Sequence, residues 1–308
     1  RAHGAGRVGL AVPVASPEAV EDLSREVEVV CGEVAERLWA IGQWYRDFTQ
    51  VSDDEVVRLL SRAAPAERVA APVAAADPPP RETEVEIEAG EIRLPGFLAW
   101  PAEGSGLVVF AHGSGSSRHS PRNRYVASVL GQAGLGTLLF DLLTPAEEQS
   151  RANVFDIGLL AGRLILATRW AGRQPGLEDA PIGYFGASTG AGAALWAAAD
   201  PGEDVAAVVS RGGRQDLAGS RLAHVRTPTL LIVGGEDRAV LELNRMAQDQ
   251  LGGESRLSIV PRATHLFEEP GTLPAAAELA RDWFVEHMAP VAHARSGRSG
   301  SGAHRGSR

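Results

Sequence analysis

The chain has no lysine: all 30 of its basic residues are arginine. That absence excludes lysine Schiff bases, pyridoxal phosphate attachment and the lysine of a phosphate-binding P-loop. A single cysteine, Cys31, permits neither an internal disulfide nor a thiolate metal cage. Positive charge is also short, with 39 acidic residues giving a net charge of −9, which argues against a nucleic-acid partner. No apolar run approaches the ~20 residues needed to span a bilayer. The opening "RAHGAGRVGLAV" has no initiator methionine and no signal-peptide layout. It reads as a trimmed chain, with a cytoplasmic location expected and a signal further upstream left open.

What remains is ordinary for a globular protein: 308 residues, 44% hydrophobic and 22% charged. That length suits one large domain, or one domain with a smaller piece. Residues 1–64 form an N-terminal segment with a strand candidate, "RVGLAVPV" (7–14), and a helix candidate, "SPEAVEDLSREVE" (16–28). A second helix is expected over "SDDEVVRLLSRAA" (52–64), which opens on a capping serine and early acids. Residues 65–80 are rich in proline and alanine without periodicity and read as a semi-rigid linker. Residues 290–308, mostly Gly, Ser and Arg, are expected to be a disordered tail.

Between them, residues 81–289 alternate strand and helix patterns. "TEVEIEA" and "EIRLPGFLAW" alternate apolar and polar residues like half-exposed antiparallel strands. "LVVFA", "GTLLFD", "PIGYFG", "VAAVVS", "TLLIVG" and "RLSIV" are short apolar runs, as in strands buried on both faces of a parallel sheet. Helix candidates separate them, notably "NRYVASVLGQAG", "NVFDIGLLAGRLILATRWA", "GAGAALWAAA", "RAVLELNRMAQDQL" and "LPAAAELARDWFVEHM". The expected fold class is α/β, an open and mostly parallel doubly wound sheet with flanking helices, plus a small N-terminal α/β segment. Such sheets place ligands at the C-terminal ends of their strands.

Ser188 lies in "GASTG" (186–190), directly after one of those strands and before a helix, the context of a nucleophile elbow. The competing reading is a serine that merely caps its helix. A serine hydroxyl needs a base, and His265, in a loop between the "RLSIV" strand and the last helix, is the best placed of eight histidines. Asp237, after the "TLLIVG" strand, is the candidate that orients the imidazole, with Glu236 and Asp216 as rivals. The chain order Ser, Asp, His is the one this topology requires. Oxyanion donors are expected from the Thr189 amide and from the loop "HGSGSS" (112–117), where the Ser114 amide is favoured over that of Gly113. A phosphate-cradling role for that loop lacks both the P-loop pattern and its lysine.

Taken together, "FAHGSGSSRHSPRN", "GYFGASTGA", "LLIVGGED" and "ATHLFEEPG" resemble α/β-hydrolases, more narrowly the dienelactone hydrolase-like group, over residues 81–288. The resemblance implies an esterase without a long lid, without metal or cofactor, and with a small-molecule ester as substrate. It departs from dienelactone hydrolases in one respect, since these use a cysteine nucleophile where this sequence has Ser188. Residues 1–63 resemble the C-terminal end of phosphoribosyltransferase-like domains but contain nothing like the loop that grips phosphoribosyl pyrophosphate. They are expected to be non-catalytic, with "WYRDF" (44–48) apolar enough to dock on the hydrolase or on a second subunit of a homodimer.

The expected activity is carboxylic-ester hydrolysis through Ser188, His265 and Asp237. Amide hydrolysis or acyl transfer on the same residues, and a ligand-binding homologue without catalysis, are the alternatives. Arg118, Arg122 and Arg124 follow the "HGSGSS" loop, and Arg211 and Arg214 follow the "VAAVVS" strand. Arg118, Arg122, Arg211 and Arg214 are therefore candidates to bind an anionic substrate group, against the plainer reading of surface arginines.

Overall fold

The computed structural model describes residues 9–25, 28–34, 82–101 and 104–288. The chain divides into two compact units, Arg1–Val51 and Ser52–Arg308. The expected helix at 52–64, the linker at 65–80, "WYRDF" and the tail at 290–308 lie outside the described residues.

In the first unit, strand β1 (Gly9–Ala15) is followed by helix α1 (Pro17–Ser24) and by strand β2 (Glu28–Val34), which pairs parallel to β1. The helix expected as far as residue 28 therefore stops at Ser24. Cys31 sits on β2, and its thiol donates to the Glu33 carbonyl at 3.1 Å.

The second unit is an eight-stranded sheet. Its first two strands, β3 (Glu82–Ala89) and β4 (Ile92–Ala99), form an antiparallel hairpin whose turn uses Gly90 at φ +70°. The others are β5 (Leu107–Ala111), β6 (Gly136–Phe140), β7 (Ile182–Ala187), β8 (Val205–Arg211), β9 (Thr229–Gly234) and β10 (Ser255–Val260). Their order across the sheet is β10-β9-β8-β7-β5-β6-β4-β3, and β5 through β10 all pair parallel to one another. Every residue of β5, β6 and β9 is buried, as the unbroken apolar runs predict for strands covered on both faces.

Strand alternation divides the core between the two faces. Leu107, Val109 and Ala111 of β5 pack with α5 (Ile157–Ala171) and α6 (Thr189–Ala198). Val108 and Phe110 pack on the opposite side with α2 (Pro121–Gln132) and α8 (Thr272–His287). Each Leu, Val or Phe side chain among these, taken wholly out of water, stabilises the fold by about 1.5–3 kcal/mol. Helix α7 (Arg238–Gln248) covers β9 and β10 through Val240 and Leu241.

Two short helices, α3 (Pro145–Glu148) and α4 (Arg151–Val154), precede α5. The long helix expected from residue 153 begins only at Ile157, because the Asp156 carboxylate caps it by accepting the Leu159 amide at 3.0 Å. A 3₁₀ segment, Gln215–His224, fills the connection between β8 and β9.

The chain leaves β5 toward β6 on one side and later returns to β7 on the other. In open α/β sheets ligands bind beside such a reversal, here outside the C-terminal ends of β5 and β7. "HGSGSS" leaves the first of these ends and Ser188 the second.

Candidate active site

Ser188 joins β7 to α6 with φ 51° and ψ −119°. A non-glycine residue held there costs about 1–3 kcal/mol, which the surrounding packing must supply. The neighbours explain the two flanking glycines. A Cβ on Gly186 would come within 2.4 Å of the Ala191 Cα, and one on Gly190 within 2.1 Å of the Ala111 carbonyl oxygen. The Ser188 side chain makes no capping hydrogen bond. Its hydroxyl is thus not used in the way the helix-cap reading requires.

The segment after β8 grips the elbow from the other side. Ser188 donates its amide to the Arg211 carbonyl at 3.2 Å, and Arg214 donates its amide to the Ser188 carbonyl at 3.0 Å. Between them, Gly212 at φ +54° lies so close to His265 that a Cβ there would be 3.5 Å from the imidazole ring. Ser188 and His265 therefore border the same few residues.

Asp237 Oδ2 accepts from His265 Nδ1 at 2.6 Å. A carboxylate only accepts, so the proton of this bond sits on Nδ1. Asp237 stands where a helix cap would, at the start of α7, yet makes no cap hydrogen bond. Its rival Asp216 forms a two-point ion pair with Arg214 instead, both contacts at 2.8 Å. Glu236 contributes its backbone amide to the Ala263 carbonyl. The imidazole is 39% exposed and the Asp237 carboxylate 13%, so the ring is open to solvent while its partner is sheltered.

The loop after β5 differs in detail from expectation. The Ser114 amide is not directed into an empty site: it donates to Thr189 Oγ1 at 2.9 Å. Behind it, buried His112 accepts the Leu142 amide at Nε2 (3.1 Å) and reaches the Gly113 carbonyl from Nδ1 (3.0 Å). Since an amide can only donate, Nδ1 holds the His112 proton. Burial lowers the His112 pKa from its ordinary value, opposed by the Gly113 carbonyl and Asp141. His112 thus pins the loop to the end of β6. The sequence placed it beside a strand-end loop but gave no sign of this role.

The four candidate arginines separate. Arg118 is held by Asp141 through both its amide and its guanidinium, and Arg214 is paired with Asp216. Arg122 reaches the exposed Glu268 at 3.5 Å. Arg211 is only 8% exposed and lies between the Phe185 and Phe267 rings, with Nη2 donating to Asn123 Oδ1 at 3.3 Å. Its Nη1 has no hydrogen-bond partner among the described residues. Burial, and then Arg122, push its pKa down to about 10. Among the described residues, no group of three or more His, Cys, Asp or Glu is placed to hold a metal ion. None of the described helices is long and apolar enough to cross a membrane.

A mostly parallel sheet with this strand order and a strand-turn-helix elbow at its centre defines an α/β hydrolase fold. No protein-family model matches the chain. The crystal structure of dienelactone hydrolase from Anabaena variabilis is 58% identical and superposes with a TM-score of 0.66, covering 68% of this chain and 98% of that one. The chain belongs to the dienelactone hydrolase family. The Est1E protein of Butyrivibrio proteoclasticus shares the fold at 16% identity and TM-score 0.57, over 67% of this chain and 98% of its own. A Mycobacterium tuberculosis protein named as a phosphoribosyl transferase is 59% identical over 290 residues, 94% of this chain. The chain spans 66% of that relative's length.

Proposed function

We propose that the chain is a serine hydrolase of carboxylic esters. The observation that carries this reading is the 2.6 Å contact of Asp237 with His265 beside a strained serine whose hydroxyl caps nothing. In the reaction, Ser188 Oγ attacks the ester carbonyl while His265 Nε2 takes its proton, and Asp237 stabilises the imidazolium. His265 then protonates the departing alcohol, leaving an acyl group on Ser188. Water, deprotonated by the same imidazole, releases the acid.

The Anabaena relative carries the name of a hydrolase, which supports hydrolysis here; the preference for small carboxylic esters is our own reading. The mycobacterial relative's transferase name belongs to a longer protein, of which this chain spans 66%. The test is turnover of p-nitrophenyl butyrate by the wild type and by Ser188→Ala, His265→Ala and Asp237→Asn. All three substitutions are expected to abolish most turnover, and wild-type rates in Ser188→Ala would end the proposal.

A further inference from the structure

Thr189, the first residue of α6, is 3% exposed, and its Oγ1 accepts the Ser114 amide at 2.9 Å. A hydroxyl has one proton to give and two lone pairs. The Ser114 contact uses a lone pair, and the Thr189 proton has no acceptor among the described residues. Other threonine hydroxyls spend theirs: Thr168, Thr229 and Thr272 donate to carbonyls at 3.0, 2.9 and 2.7 Å. A polar proton this deeply buried is rarely left without an acceptor.

The place where an acceptor would appear is set by the elbow. Thr189 follows Ser188 directly, and its amide, the first of α6, lies before the helix's own hydrogen-bond ladder begins. An oxyanion formed on Ser188 meets the Thr189 amide there. The Ser114 amide, which was expected to be the second donor, already faces the Thr189 oxygen.

We propose that the Thr189 hydroxyl is itself an oxyanion donor, polarised from behind by the Ser114 amide. The inference rests on the serine-hydrolase reading above. As the bond from Ser188 Oγ to the carbonyl carbon forms, the carbonyl π pair moves onto oxygen. Thr189 then donates to that oxygen from both its N–H and its O–H, keeping both protons. The Ser114 N–H, pointing at Oγ1, makes the hydroxyl a stronger donor than an isolated one. One residue thereby supplies two donors, and the "HGSGSS" loop acts through it.

The test uses Thr189→Val, which keeps the shape and removes the hydroxyl, and Thr189→Ser, which keeps the hydroxyl. For each variant, kcat and KM for p-nitrophenyl butyrate are measured alongside the inhibition constant of an alkyl trifluoromethyl ketone, whose serine adduct carries the oxyanion. In Thr189→Val, kcat is expected to fall about 10²–10³-fold, with KM little changed. Ketone affinity should weaken in parallel, and Thr189→Ser should restore most of both. A hydroxyl that only braced the loop would lower the melting temperature without uncoupling ketone affinity from KM, and that outcome overturns the proposal. So does a Thr189→Val enzyme as fast as or faster than wild type, since Ser114 would then serve the oxyanion directly. Fluorophosphonate labelling separates the two levels. A wild type unlabelled at Ser188 overturns both readings, whereas a labelled wild type with a fully active Thr189→Val overturns only this one.

Discussion

Gln215 Nε2 donates to Asn244 Oδ1 at 2.7 Å, and neither residue has any exposure to solvent. Asn244 in turn donates to the Gly213 carbonyl at 3.0 Å and the Val240 carbonyl at 2.7 Å, while Gln215 also reaches Ser210 Oγ. The cluster ties α7, which Asp237 directly precedes, to the segment that grips Ser188 and lies close to His265. Asn244→Leu leaves the Gly213 carbonyl and one of the two Gln215 N–H groups without their partner in the core, the other still reaching Ser210. The expected cost is about 1–3 kcal/mol for each group left unsatisfied. Urea unfolding measures it, and esterase activity should fall in the fraction that remains folded. Unchanged stability would show that the cluster holds nothing in place.

Ser188 supplies a trade between stability and chemistry. Its left-handed backbone is cheap only for glycine. Ser188→Gly should abolish ester hydrolysis yet raise unfolding stability by about 1 kcal/mol or more as the strain is relieved. Calorimetry on the purified variant checks this. A less stable Ser188→Gly would mean that the serine side chain contributes packing that outweighs the strain.

The pH dependence of stability should include His112. Its folded pKa lies below the ordinary 6.5 because burial disfavours the charged ring. As pH falls below 6.5, the unfolded chain takes up a proton that the folded chain still refuses. The His112 contribution is therefore complete above that value and is lost progressively toward the lower folded pKa. His112→Gln should be less stable near neutrality and show a shallower loss between about pH 7 and 5. Parallel pH profiles for the two proteins would exclude this source.

Arg211 should separate anionic from neutral substrates. A buried cation whose Nη1 has no hydrogen-bond partner among the described residues is costly, and a substrate carboxylate would offset part of that cost. Arg211→Met is expected to lower kcat/KM for a succinyl half-ester about tenfold more than for a neutral ester of equal length. Arg118→Met and Arg214→Met, which remove arginines already paired with Asp141 and Asp216, should not change that ratio. Equal losses on both esters for Arg211→Met would leave it a packing residue.

The parts of the fold legible in the sequence were those set by local pattern. β5 and β9 match the apolar runs "LVVFA" and "TLLIVG" residue for residue, because burial on both faces demands unbroken apolarity. β2 was hidden: "EVVCGEV" begins in a stretch that also suits a helix, and only pairing with the distant β1 makes it a strand. In the site, the order of Ser188, Asp237 and His265 was visible because each follows its own strand. Asp216, two residues from Arg214, was within local reach as its partner, whereas the partner of Arg118 was not, since Asp141 meets it only where the ends of β5 and β6 lie side by side. Nor could the sequence show that the Ser114 amide ends on Thr189 Oγ1, a matter of side-chain rotamer.

The central claim is that Ser188 is an activated nucleophile. Its most direct measurement is reaction of the wild-type chain with a fluorophosphonate probe, followed by peptide mass spectrometry. A single stoichiometric adduct on Ser188 is expected, lost in Ser188→Ala and strongly slowed in His265→Ala. An unlabelled wild type, or an adduct that persists in Ser188→Ala, would contradict it.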